Sequence, residues 1–259
     1  MSLQETLNQI STHREIKGQE ENTLREIEEA KEAAQKQKDW KSLVKLFWEE
    51  SLCAQHIAMN EMAKETPDEK KLNEGKKRMK KAALDAHQTI EKHDLDEMLG
   101  TSNRFLGRYY TYSGDHDGAR NMYFRSIEEI QKLKDKKQIL EIKGFLADSL
   151  IRIGKVIEGI DLAIQTFDEF ENSEDGKKLK EDDYFTWAVW RTGIIPRIVG
   201  ALKDTNAEFD KDLINEYLEK SEQTLNEKNE KVSWGDPAFT YRRDEISKAK
   251  SILSTLHYS

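Results

Sequence analysis

Apolar residues return at helical spacing along almost the whole of this chain, and few architectures other than packed helices can use such a pattern. Taken as i, i+3, i+4, i+7 stripes, they predict helices over 2–17, 19–37, 40–64, 67–91, 94–113, 116–134, 136–153, 156–171, 182–202, 208–227 and 236–257. No stretch alternates apolar and polar residues as a half-buried strand does. The composition agrees: 36% of residues are charged, 36% hydrophobic, and only three of 259 are proline, so narrow apolar stripes lie beside wide solvated faces. Five Trp, eight Tyr and nine Phe supply core-forming rings that a disordered chain of equal charge lacks.

Local signals punctuate the helices. Thr66-Pro67-Asp68-Glu69 has the order of an N-cap, a first-turn proline and a glutamate three residues after the cap. Asp94 followed by Glu97, and Asp236 followed by Pro237, suggest similar starts. Gly114 and Gly154 stand where helices should stop and turn. The polar stretch NSEDGKK, 172–178, reads as the longest loop because it carries Gly176. Gly193 and Pro196 predict a kink in the helix 182–202, or a break into two pieces, because proline removes a backbone donor and crowds the preceding turn. No linker rich in Gly, Pro or Ser divides the chain, so one domain spanning 1–259 is expected.

Within FLGRYYTYSGDHDGARNMYF, 105–124, Leu106 and Tyr110 lie one turn apart with Gly107 beside them. Gly114-Asp115 then turns the chain, and Ala119 and Tyr123 follow on the next helix. A second copy comes 40 residues later, with Gly154 in place of Gly114 and with Leu146, Ala147, Leu150, Gly159 and Ala163 at the other positions. This spacing resembles the tetratricopeptide repeat, a pattern of Trp-x2-Leu-Gly-x2-Tyr followed by Ala-x3-Phe and Pro. Asn103 and Gln131 depart from it, and the resemblance is best over 95–170. WKSLVKLF is a third, looser copy. Either Trp40, Leu43 and Phe47 lie on a first helix with Val44 in the glycine slot, or Asp39-Trp40 form the turn and Phe47 lies on a second helix.

The resemblance implies an all-α, right-handed superhelical solenoid of antiparallel helix hairpins, with about eleven helices and a capping helix at 236–257. It also implies a concave groove that binds a peptide or helix of another protein. One subgroup clamps C-terminal carboxylates with Lys, Asn and Arg. Arg104 and Arg108 would face such a groove here, but Glu141 and Asp148 take the neighbouring places, so the full clamp is missing.

Three sets of residues are candidates. Arg104 and Arg108, at i and i+4, would contact an anionic peptide or simply pair with nearby acids. Tyr184, Trp187, Arg191 and Arg197, with Trp190, cluster about the predicted kink. They are the residue types of interface hot spots and equally of a helix packed between neighbours. Lys76, Lys77, Arg78, Lys80 and Lys81 form a basic helix face. Its plain explanation is a solvated surface, and the alternatives are an acidic partner, RNA or an anionic lipid surface. No aromatic residue interleaves with these lysines in sequence, which counts against nucleic acid.

Catalytic and metal patterns are missing from the sequence. It has no His-Glu-x-x-His motif, phosphate loop or dinucleotide glycine fingerprint. His87 and His93 are six apart and share no helix face, and His116 falls in the repeat turn. Cys53 and His56, at i and i+3, sit in what reads as a buried stripe. Neither enzyme activity nor a cofactor is expected. The net charge of −8 makes nucleic acid an unlikely general ligand. A single cysteine, with no secretory leader and no apolar run of membrane length, gives a cytoplasmic protein as the default expectation. The expected partner is another protein or peptide, and the sequence does not address oligomeric state.

Overall fold

The computed structural model of the chain describes residues 2–227 and 237–256, and among these there are helices and turns but no strand. The helices group into two compact units, Met1–Glu129 and Ile130–Ser259.

The first unit contains α1 (Leu3–Arg14), α2 (Glu20–Gln37), α3 (Trp40–Met62), α4 (Glu69–Lys92), α5 (Leu99–Ser113) and most of α6 (His116–Gln131), with a 3-10 turn at Asp96–Met98 before α5. Each helix lies against the next as an antiparallel neighbour. Lys31 on α2 reaches Glu50 on α3, while Glu20, at the start of α2, accepts a hydrogen bond from Asn60 near the end of α3. Helices α3 and α5, by contrast, run the same way. Trp48 stacks on Phe105, and further along both helices Gln55 accepts a hydrogen bond from Arg108. Leu7, Ile10, Ile27, Val44, Leu46 and Ile90 lie in one buried cluster of this unit.

The hairpin α5–α6 shows why its small residues matter. A Cβ on Gly107 would stand 2.5 Å from the Tyr123 ring, so only glycine lets the ring come this close to the α5 backbone. The Tyr123 hydroxyl pairs with Thr111 Oγ1 at 2.9 Å, and Ser126 donates to the Gly100 carbonyl at 2.6 Å. Gly114 closes α5 at φ +86°, which suits glycine best. In the α3–α4 hairpin the close approach is between Gly75 and the Ala54 carbonyl and Ala58, not at Val44. The turn before α3 is made by Lys38, in the left-handed region at φ 56°, and Asp39, which caps α3.

The second unit contains α7 (Gln138–Arg152), α8 (Val156–Asn172), α9 (Glu174–Asp182), α10 (Tyr184–Thr192), α11 (Ile194–Thr205), α12 (Lys211–Asn226) and α13 (Pro237–Thr255). Gly154 turns α7 into α8 at φ +88°, and Gly159 sits against Ile151 and the Ala147 carbonyl. Phe167, Phe170, Trp187, Ile195, Ile198 and Leu218 are among the residues of one buried core.

Four local expectations need correction or refinement. The segment 172–178 is not a loop, because α9 begins at Glu174. Ser173 caps it by accepting from Gly176 N at 3.0 Å, and Gly176 is required because a side chain there would collide with the Phe170 and Glu169 carbonyls. The cap of α4 is Asp68 rather than Thr66, since Asp68 accepts from Lys70 N and Lys71 N. Asp94 is not a cap but a turn residue at φ 53°. The helix expected over 182–202 is broken at Gly193 rather than bent. Pro196 falls in the first turn of α11, where its missing N–H has no intrahelical partner to lose. Of the start expected at Asp236–Pro237, Asp236 lies outside the described residues.

Candidate functional site

In the first unit, side chains of α1, α3 and α5 converge on one polar and aromatic cluster. Helix α3 contributes Trp48, Glu49, Gln55 and His56, spaced so that i and i+7 pairs point the same way. Helix α1 ends there with Arg14, and α5 brings Arg104, Phe105 and Arg108.

Arg14 fastens α1 to α3 twice. Its Nε lies 2.9 Å from Glu49 Oε2, and its carbonyl is 3.1 Å from His56 Nδ1. The second contact requires Nδ1 to carry the proton, since a carbonyl only accepts. Arg14 Nη2 is also 3.1 Å from Glu15. Burial holds the Glu49 carboxyl above its ordinary pKa, with Arg14 partly offsetting it. Burial likewise lowers the His56 pKa, so the imidazole is neutral. The Arg108 and Arg104 guanidinium carbons lie 6.0 and 4.9 Å from the Phe105 ring centroid. The Trp48 ring is parallel to that of Phe105, at 5.6 Å and 9°. Its indole N–H is buried without an acceptor.

Arg108 and Gln55 are buried, while Trp48, Glu49, His56 and Arg104 are half-buried. The cluster combines aromatic surface, fixed guanidinium donors and one carboxylate. Such a set suits recognition of a segment with mixed polar and apolar side chains.

The other sequence candidates lie elsewhere. Trp187 is fully buried and donates its indole N–H to the Phe170 carbonyl at 2.9 Å. Arg191 is buried as well, donating to the Phe167 carbonyl at 3.3 Å and to Thr224 Oγ1 at 2.5 Å, with Glu171 3.2 Å away. Tyr184 is buried beside Trp187, its hydroxyl pushed up to about 12 chiefly by burial. These three hold the second unit together rather than lining a groove. Arg197 is half-buried, 3.7 Å from the centroid of Phe145.

The basic face of α4 divides. Arg78 binds inward to Glu50 at 2.7 Å and to Glu28 at 2.6 Å, and Lys31 joins Glu50 at 2.7 Å from the other side. Arg78 is therefore a structural cation. Lys77, Lys80 and Lys81 are exposed and Lys76 is half-buried. Tyr109 of α5 lies beneath Lys80, 5.7 Å from ring centroid to ammonium. Sequence alone did not reveal this aromatic neighbour.

Cys53 and His56 do not form a dyad. The thiol donates to the Glu20 carbonyl at 3.3 Å, and His56 turns to Arg14. Burial pushes the thiol up to about 12. His87 lies 3.5 Å from Ser102 Oγ, and His93 stacks on Trp40. Among the described residues no group of three or more His, Cys, Asp or Glu is placed to hold a metal, and no helix is long and apolar enough to cross a membrane. A shallow hollow of about 550 Å³ opens between α1 and α2. His13 and Glu26 in its lining pair with each other, as do Gln19, Asn22 and Arg25.

Arg14, Trp48, Glu49, Gln55 and His56 were not singled out as binding residues by the sequence. The usable signal was the doubled i, i+7 spacing of Trp48 with Gln55 and Glu49 with His56 on a helix otherwise rich in small and apolar residues. No family model matches the chain, and neither a curated protein nor a solved structure matches it.

Proposed function

We propose that the chain is an interaction module, a tetratricopeptide-like solenoid that holds a segment of a partner protein and performs no chemistry of its own. The observation that carries this proposal is the convergence of Trp48, His56, Arg104 and Arg108 from helices α3 and α5, which run in the same direction. Parallel first helices of successive hairpins are the geometry from which repeat proteins build a continuous binding surface. Support for the repeat itself comes from the Gly107–Tyr123 contact and from turns at Gly114 and Gly154, both at positive φ. On this proposal the aromatic surface supplies affinity, and the guanidinium groups set orientation and association rate.

The test is affinity capture with the purified chain as bait, at low and at high salt, with identification by mass spectrometry. Wild type and Arg104→Glu are compared, with far-UV circular dichroism confirming that the variant is folded. A protein retained by wild type at both salts and lost by the variant supports the proposal. Retention that is equal for both baits, or no retained protein, overturns it.

A further inference from the structure

A positively charged face of the first unit lies outside that cluster, on α4. Residues 70–81 contain six lysines and one arginine against a single acid, Glu74. The fold uses some of these charges. Arg78 goes to Glu28 and Glu50, Lys81 to Asp85 at 2.6 Å, and Lys71 approaches Glu61 at 3.9 Å. Among the described residues, Lys70, Lys76 and Lys77 have no ion-pair partner, and Lys80 has only the ring of Tyr109. Lys77, Lys80, Lys81 and Leu84 are spaced i, i+3, i+4, i+7 and therefore share one helix face. All four are exposed, and Leu84 is one of the few large apolar side chains left in solvent, at 38%.

We infer that this outward face of α4 is a second docking surface, and that its occupant is an acidic segment of a partner protein carrying an apolar side chain to cover Leu84. Charge complementarity sets the sign of the occupant, and three observations set its class. The one arginine of α4 is already held by two carboxylates, so the face offers lysine point charges and not the forked donor that recognises phosphate bidentately. The Tyr109 ring carries Lys80 on it and has Tyr110 against it at 5.2 Å, which leaves poor room for a stacked base. A single exposed leucine is a small anchor for a lipid surface. Several carboxylate side chains, each meeting one ammonium, match what remains. The chain's net charge of −8 directs an acidic segment to this face and away from the rest of the surface. This surface is separate from the α1–α3–α5 cluster, so either proposal can fail alone.

The test uses a short fluorescein-labelled helical peptide of Glu with Leu at heptad spacing, titrated with the full chain and read by fluorescence anisotropy. Saturable binding that weakens with salt is expected, together with loss of binding when the peptide's Glu residues are replaced by Gln. Lys77→Gln/Lys80→Gln/Lys81→Gln should weaken it about tenfold, three exposed charge contacts being removed. Leu84→Ser should weaken it by a smaller factor, and Arg104→Glu should leave it unchanged. All the altered α4 side chains lie at the surface, and circular dichroism checks that the fold persists. The inference is overturned by absence of saturable binding at low salt, or by equal binding of the triple variant. It is also overturned if poly(U) or phosphatidylserine vesicles bind the same face more tightly than the peptide does.

Discussion

Gly107→Ala is the sharpest test of the α5–α6 packing. The added Cβ would meet Tyr123 Cε1, Cδ1 and Cζ at 2.5, 2.7 and 3.0 Å, where ordinary contact is 3.4–4 Å. The ring must therefore retreat by about 1 Å, or the helices must separate by as much. The ring has nowhere easy to go, since Tyr123 is fully buried and its hydroxyl is held by Thr111. Overpacking of this size costs roughly 3 kcal/mol, while alanine returns about 1 kcal/mol of helix propensity over glycine. The net loss is about 2 kcal/mol, which for a chain of this length lowers Tm by roughly 4–8 °C. Urea denaturation followed by circular dichroism gives the free energy. The same substitution in a Tyr123→Leu background isolates the ring as the cause. There the clash is removed, and alanine should be neutral or stabilising by up to about 1 kcal/mol. Stabilisation in the wild-type background, or an equal cost in both, would refute the contact as described.

Other consequences can be measured separately. Arg191→Met removes donors to the Phe167 carbonyl and Thr224 and leaves those acceptors buried, so a loss of about 2–4 kcal/mol is expected in urea denaturation. His56 has a pKa lowered by burial from 6.5. Its contribution to stability is therefore complete above about pH 6.5 and is lost as pH falls through the lowered value. Unfolding of wild type measured from pH 7.5 down to 5 should show this loss, and His56→Gln should flatten that part of the profile. Cys53, with its thiol pushed up to about 12, should react with a maleimide no faster than the protein opens. Rapid labelling of the native chain would contradict its burial.

The features that could be read from sequence are those fixed by neighbours close along the chain. Gly114 and Gly154 are visible because a helix stop needs a left-handed residue at that point, whatever else surrounds it. The Leu106, Gly107 and Tyr123 spacing is visible because a hairpin brings those positions together within a few turns. Gly176 misled because a glycine in a polar stretch reads as a loop, whereas its role is close approach to the Phe170 and Glu169 carbonyls. Arg78 misled for a different reason. Its helix face was clear, but Glu50 and Glu28 lie 28 and 50 residues away, and only the packing of α2, α3 and α4 brings them to it. The same holds for Trp187 and Arg191. Their residue types fit a partner surface, but Phe170, Phe167 and Thr224 claim their polar atoms first. The cluster around Trp48 and His56 was hidden because its members come from three helices, and no single window of sequence holds them.

The division of labour on α4 has a chemical corollary. The cation that this helix gives to the network around Glu50 is Arg78, while Lys31, the other cation on Glu50, is buried. Acetyl transfer to amines reaches neither of them readily: the first is a guanidinium, and the second is enclosed. Lys77, Lys80 and Lys81 are open to the same reagent. Amine acylation would thus erase the outer charge of the helix and leave its internal ion network standing, so surface character and structural integrity can be titrated independently on one element.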